Sequence, residues 1–365
     1  MTPPTSERRP GPRDWTSLAD AADRLLLDES GAARGDLHDG SLVVIGDVAG
    51  ALTLGAASEG ARGIRVHQDP LTAERTLRTQ AERLGHADAF ASHGLEASLV
   101  DGARVVLLRL PRSLDELRDS AGLIAAHAHP EVVVFAGGRI KHMTTTMNDV
   151  LREVFERVDV THARQKSRVL VARRPSSGGD PQPRTEDHPG LLTVRALGGV
   201  FAGTSIDIGT RFLLEHLPEE LPDEVVDLAC GTGVVATVLA LRHAGIRVHA
   251  SDESAAAVAS ARATAAANGV ADRVSVVRDD ALSSLPSGSA RFIALNPPFH
   301  SGSSVDESIA PHLFADAARV LEPGGELWTV WNSHLLHRPL LSLLVGPTRQ
   351  VARNAKFVVT ASIAR

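Results

Sequence analysis

Three observations predict an α/β chain of two tandem halves, each a mostly parallel, doubly wound sheet. Short apolar strands alternate with helical periods through the 365 residues, which is the pattern of repeated βαβ units. Near the middle, "RRPSSGGDPQPRTEDHPG" carries Pro, Gly, Ser and charge without hydrophobic periodicity, a linker composition. The flanking halves echo each other: 41–57 with 224–240, 63–85 with 245–269, and "ARVVLLRLPRS" (103–113) with "ARFIALNPPFHS" (290–301). A repeat this long is a duplicated domain, because solenoid periods are roughly 20–50 residues. The expected divisions are 1–172, a linker at 173–190, and 191–365.

Composition supports this and removes several functions. The chain is 43% hydrophobic and 22% charged, enough to build a sizeable core in about two or three domains. The start has no apolar signal region and no later run is long and apolar enough to span a bilayer, so a soluble, cytoplasmic protein is expected, acting as a monomer. Cys230 is the only cysteine, which excludes a disulfide framework and a thiolate zinc site. The 16 histidines show no metal-ligand spacing, and no metal is expected. A net charge of −6 argues against a protein that coats nucleic acid, while leaving room for a local basic face.

In the C-terminal half the unusual motifs fall where strands end. "EVVDLA" runs into "CGTG" and a helix. Gly231 and Gly233 there let backbone approach a ligand, and the helix start adds free N–H groups. Gly231-x-Gly233-x-x-Ala236 also satisfies a dinucleotide fingerprint, so this turn alone leaves NAD, or no ligand at all, open. Asp227 lies inside the strand, where an uncompensated carboxylate is costly; a cationic ligand group would explain it. "ASDES" places Asp252 where doubly wound sheets hold a ribose, and Ser254 is read as a helix N-cap. "VSVVRDDA" ends in Asp279 and Asp280, either of which can accept from an adenine amino group, with Asp280 preferred; the plain reading is that one is solvated and the other caps the next helix.

The fourth strand ends in "LNPPFH". Pro297 and Pro298 have fixed φ and no N–H, so the corner is stiff. The Asn296 side-chain oxygen and the Pro297 carbonyl are two acceptors at a set separation, suited to an NH2 group with two donor hydrogens. Phe299 offers a face for a planar base. His300 is read either as orienting a phosphate or carrying off a proton, or as a plain loop hydrogen bond.

"DLACGTG", "ASDES", "RDDA" and "LNPPFH", in this order, resemble the class I S-adenosylmethionine-dependent methyltransferases that act on exocyclic amines, with Rossmann-like domains. With "GGVFAGTSIDIGTRFLLEHLP" (198–218), the "RNAKFVVTASIAR" ending and a degenerate first half, the chain is similar to the ribosomal RNA guanine-N2 methyltransferases with a methyltransferase small domain, slightly closer to the large-subunit enzymes. The resemblance implies S-adenosylmethionine as cofactor and ribosomal RNA as partner. It assigns Asp227, Ala229, Gly231 and Gly233 to the methionine and ribose part of the cofactor, Asp252 to the ribose and Asp280 to the adenine. The segment Asp207 to Arg211, with Thr210, would close over the cofactor. Asn296, also bordering the cofactor, would hold the guanine with Pro297, Pro298 and Phe299, and His300 completes the corner.

The first half aligns Gly50 with Gly233 but sets Val48 against Gly231, Val44 against Asp227, and "RLPR" (109–112) against "NPPF". It is expected to keep the fold without catalysis. Arg109, Arg112 and the run "THARQKSRVLVARR" (161–174) suggest RNA contact, with a solvated strand face as the plain reading. Three other functions remain open here: a protein glutamine N-methyltransferase, which would offer the same NH2 group; a non-catalytic RNA-binding assembly factor; and a dehydrogenase, for which the corner has no use.

Overall fold

A computed structural model describes residues 14–35, 37–298 and 309–365. The chain divides into two compact units: Met1–Gln68, Ala73–Pro111 and Ser120–Asp180 form one, and Asp69–Thr72, Arg112–Asp119 and Pro181–Arg365 the other. Along the first half run α1 (Ala21–Gly35), β1 (Leu42–Ile45), α2 (Ala51–Ser58), β2 (Ile64–His67), α3 (Leu71–Leu84), β3 (Phe90–Ser92), α4 (Ala97–Val100) and β4 (Val105–Arg109). They are followed by α5 (Leu114–His127), β5 (Val133–Arg139), α6 (Thr145–Arg152), β6 (Phe155–Val160) and β7 (Ser167–Pro175). The strands form one seven-stranded sheet in the order β3-β2-β1-β4-β5-β7-β6. Its first five strands are parallel and β7 returns antiparallel to β5 and β6. All four residues of β1 are buried, as expected of a parallel strand covered by helices on both faces.

The second half begins with a two-stranded hairpin, β8 (Arg184–His188) and β9 (Leu192–Ala196). There follow α7 (Ile208–Leu214), β10 (Glu224–Leu228), α8 (Val234–Arg242), β11 (Arg247–Asp252), α9 (Ala255–Ala267), β12 (Val274–Arg278) and β13 (Ala290–Leu295). The chain closes with α10 (Ile309–Val320), β14 (Leu321–Asn332), α11 (Arg338–Leu344), β15 (Thr348–Arg353) and β16 (Phe357–Ile363). The sheet order, β12-β11-β10-β13-β14-β16-β15, repeats that of the first half strand for strand. Core clusters lie on both faces, one around Val225, Val235 and Ala294 and the other around Val226, Leu228 and Ile293. No helix among the described residues is long and apolar enough to cross a membrane.

The stretch of linker composition is partly ordered. Arg173 to Pro175 complete β7, and Arg184–His188 form β8 although Thr185, Glu186 and Asp187 are exposed. A hairpin ladder holds these residues through their backbones, so no apolar period marks them.

Candidate active site

The parallel strands β10 to β13 all end at one edge of their sheet, the edge where ligands bind in open α/β sheets. At the end of β10 the chain turns through Ala229 (φ 57°), Gly231 (φ 55°) and Gly233 (φ 74°), all left-handed. For Ala229 this conformation costs about 1–2 kcal/mol, strain of a kind that clusters at ligand sites. The two glycines differ in purpose. A Cβ on Gly231 would meet nothing within 4 Å, whereas one on Gly233 would lie 2.8 Å from the Ala261 side chain on α9. Gly231 thus borders open space, and Gly233 is required by helix packing as well as by its backbone angle.

Asp227 is 3% exposed. Its Oδ2 accepts from Ala236 N at 2.9 Å, so this carboxylate caps α8, and that one bond offsets only part of the cost of its burial. Burial pushes its carboxyl up to about 7 against that hydrogen bond, and the nearby Asp252 charge adds to the rise. Asp252 accepts from Gly231 N at 2.9 Å and from Ser254 N at 3.0 Å, tying the glycine turn to the end of β11. Burial raises Asp252 to about 6 despite these bonds. Ser254 accepts from Ala257 N and is the N-cap of α9. The buried Cys230 has its thiol pushed well up by burial and by the nearby Asp252 and Asp227 charges, which disfavours the reactive thiolate.

After β12 the two aspartates separate in role. Asp279 accepts from Ser283, from the backbone and hydroxyl of Ser284, and from Asp280 N. Burial opposes ionisation, but those hydrogen bonds prevail and hold its carboxyl below the usual range. Asp279 therefore holds the turn at 281–284, and no helix stands between β12 and β13 for it to cap. Asp280 is the more exposed of the two, with Oδ1 2.9 Å from His312 Nε2.

Asn296 follows β13, whose register against β10 sets Leu295 beside Leu228. Its Nδ2 donates to Thr210 Oγ1 at 2.9 Å and, at 3.4 Å, to Asp207 Oδ2. Asp207 is the N-cap of α7, accepting from Gly209 N and Thr210 N. Asn296 Oδ1 is buried without a hydrogen-bond partner among the described residues. Pro297 is buried and Pro298 exposed; Phe299 and His300 lie outside the described residues. Behind α7, a Cβ on Gly209 would fall 3.1 Å from the Phe357 ring, so the "NAKF" segment packs against the helix that anchors Asn296. The Thr210 link was not legible in the sequence, where "DIGT" reads as the opening of a helix.

A groove of about 810 Å³ lies at the opposite end of the strands, bordered by Glu224, Arg247, His249 and Arg291. None of the site residues lines it.

The first unit shows the same geometry with different chemistry. Register places Leu108 beside Ile45 as Leu295 lies beside Leu228, so Arg109 stands where Asn296 stands. Asp20 accepts from Ala22 N and Asp23 N at the start of α1, and Asp23 accepts in return from Asp20 N, a capping box. Arg109 donates to Asp20 at 3.0 Å and to Asp23 at 2.9 Å, and its side chain is 25% exposed. Asp20 and Asp23 thus occupy the N-cap and third helical positions that Asp207 and Thr210 occupy in the other unit. Burial pushes Asp23 up to about 7, whereas at Asp20 burial is outweighed by the Arg109 hydrogen bond and charge together with the backbone N–H groups of Asp23 and Ala22, which lower it to about 2. Asp47 accepts from Leu52 N and Thr53 N, taking over the helix-capping task of Asp227.

Arg109 is thus a half-buried structural cation engaged by two carboxylates, a role that the sequence did not suggest. In the basic run, Arg164, Arg173 and Arg174 pair with Asp28, Asp159 and Glu156, which favours the solvated strand face for that segment.

Comparison with known proteins agrees with the two-unit reading. The RLMG N-terminal domain matches residues 7–176 and the methyltransferase small domain matches 191–361. The ribosomal RNA large subunit methyltransferase G of Streptomyces avermitilis is 37% identical over 96% of this chain and 94% of its own length. That of Streptomyces coelicolor is 35% identical over 100% of both chains. Among solved structures, a T. thermophilus 16S rRNA N2 methyltransferase in complex with AdoMet and guanosine superposes with a TM-score of 0.75. At 22% identity, over 98% of this chain and 94% of that one, it establishes the shared tandem Rossmann-like fold.

Proposed function

The chain belongs to the ribosomal RNA large subunit methyltransferase G family, and from that premise we propose that it transfers a methyl group from S-adenosylmethionine to the exocyclic N2 amine of a guanine in large-subunit ribosomal RNA, in the cytoplasm. The observation that carries the chemistry is Asn296 Oδ1, buried and without a partner among the described residues. Leaving such an acceptor unsatisfied costs about 1–3 kcal/mol, and a ligand N–H removes that cost. A guanine N2 group has two such hydrogens, one for Asn296 Oδ1 and one for the Pro297 carbonyl.

Holding both hydrogens orients the amine and counters the pull of the purine ring on its lone pair. The neutral amine is then nucleophilic enough without a strong base, and it loses its proton after transfer. Orientation of this kind supplies up to about 7–11 kcal/mol. S-adenosylmethionine supplies a methyl group made electrophilic by its sulfonium. Asp227 and the turn from Ala229 to Gly233 would hold its methionine and ribose part, with open space at Gly231 to admit it. Asp252 would accept from the ribose hydroxyls and Asp280 from the adenine amine. Thr210 serves this site by fixing the Asn296 amide. Phe299 would stack on the guanine, and His300 stands beside it in sequence as a proton acceptor.

Family membership removes the glutamine methyltransferase, assembly-factor and dehydrogenase readings left open by the sequence. The test is methylation of large-subunit RNA from cells lacking this protein, with labelled cofactor and nucleoside analysis. Label is expected on N2-methylguanosine; label on adenosine, cytidine or protein would refute the assignment.

A further inference from the structure

Two segments beyond the carboxyl end of β14 are joined into one rim. Ser333 N donates to Lys356 O at 2.8 Å, and Ser333 Oγ donates to Ala355 O at 3.3 Å. These bonds connect the 333–337 turn to the tip of the β15–β16 hairpin. The tip is itself set by Asn354, whose Oδ1 accepts from Lys356 N and Phe357 N. Phe357 then packs against Gly209, beside the helix that anchors Asn296. In the register of β13 with β14, Leu295 lies beside Thr329, so β14 reaches Asn332 just past the level of Asn296. The rim therefore stands next to the Asn296 corner.

Arg353 and Lys356 are exposed, and neither side chain has a hydrogen-bond or ion-pair partner among the described residues, in contrast to Arg109, Arg164, Arg173 and Arg174. Leu336 is 75% exposed and left-handed, with φ 52°. That combination costs twice: the backbone strain is about 1–3 kcal/mol, and the apolar side chain gains nothing from water. The flanking residues impose it. Leu335 packs on the core cluster below, and His337 meets the rings of Phe314 and Trp331 edge-on before α11 begins.

We propose that ribosomal RNA docks on this rim, with Arg353 and Lys356 on phosphates flanking the target guanine and Leu336 inserted in the base stack that the guanine leaves. The proposal rests on the guanine methyltransferase reading above. A base that must reach a pocket with its amine leaves its stack, and apolar side chains serve as wedges at such steps. Cations beside them supply the salt-dependent share of affinity.

Steady-state methylation of large-subunit RNA from cells lacking the protein tests this, over a range of salt concentrations. Arg353→Ala/Lys356→Ala is expected to raise KM for RNA about tenfold and to make the slope of log KM against log salt shallower by about 1.4, or about 0.7 per phosphate of single-stranded RNA. Arg353→Glu/Lys356→Glu should exceed both effects. Leu336→Ala is expected to lower kcat about tenfold at saturating RNA, and Leu336→Met should restore most of it. Cofactor affinity and melting temperature serve as controls for folding. Wild-type KM and slope in the double-alanine variant would overturn the docking rim, and wild-type kcat in Leu336→Ala would overturn the wedge. Failure of the functional reading looks different: the wild-type protein would then leave guanine N2 unlabelled.

Discussion

The Asn296 amide is anchored by Thr210, whose hydroxyl oxygen lies 2.9 Å from Asn296 Nδ2. With Nδ2 held there and, at 3.4 Å, by Asp207 Oδ2, Oδ1 has no partner among the described residues, whereas the corresponding pair in the first unit, Arg109 with Asp23, is a salt bridge. One fold thus carries two versions of the same junction, a helix start clasping the residue after the fourth strand.

If Thr210 sets the amide, Thr210→Val should lower kcat by roughly 10- to 100-fold, because small misplacements at a reacting group are costly. Thr210→Ser should recover most of the activity. Single-turnover methylation measures both; full activity in Thr210→Val would mean that the stiff corner alone orients Asn296.

The Asp227 carboxyl, at about 7, gives the cofactor site a pH dependence. The folded value lies above the ordinary one, so its contribution to stability is fully present below about pH 4 and is lost as pH rises through 7. A cationic ligand group favours the carboxylate, so cofactor affinity should move the other way, being about tenfold weaker at pH 6 than on the plateau above 8. Calorimetry across this range checks it, and Asp227→Asn should flatten the profile.

Gly233→Ala should destabilise the protein by about 1–3 kcal/mol, through both the left-handed backbone and the contact with Ala261. Adding Ala261→Gly relieves only the side-chain part of the contact, since the Ala261 Cα remains 3.0 Å away, and should recover part of the loss. Thermal melting of the single and double variants separates the two contributions.

Arg109→Leu leaves Asp20 and Asp23 without their cation and should cost about 3 kcal/mol of stability. RNA affinity and its salt slope should not change at temperatures where the variant is folded. A shallower slope would return Arg109 to the RNA interface.

Much of this was legible in sequence because strand ends carry both fold and chemistry. The alternation of strands and helices, the aligned Gly50 and Gly233, and the order of Asp227, Asp252, Asp280 and Asn296 all follow from local patterns. Three features did not. Arg109 reads as a nucleic-acid contact until the capping box of α1, far away in sequence, is seen to meet it. Gly233 reads as a ligand contact, although its Cα hydrogen faces Ala261 on a helix two elements later. Thr210 and Asn296 are joined only by tertiary structure, and no spacing announces a pair so far apart.

The central claim is that Asn296 Oδ1 holds the guanine amine, and Asn296→Ala tests it most directly. With labelled cofactor and unmodified large-subunit RNA, the variant should bind S-adenosylmethionine with wild-type affinity while kcat falls by at least about 100-fold, in line with the loss of one preorganised polar group. Near-wild-type turnover to N2-methylguanosine would contradict the account.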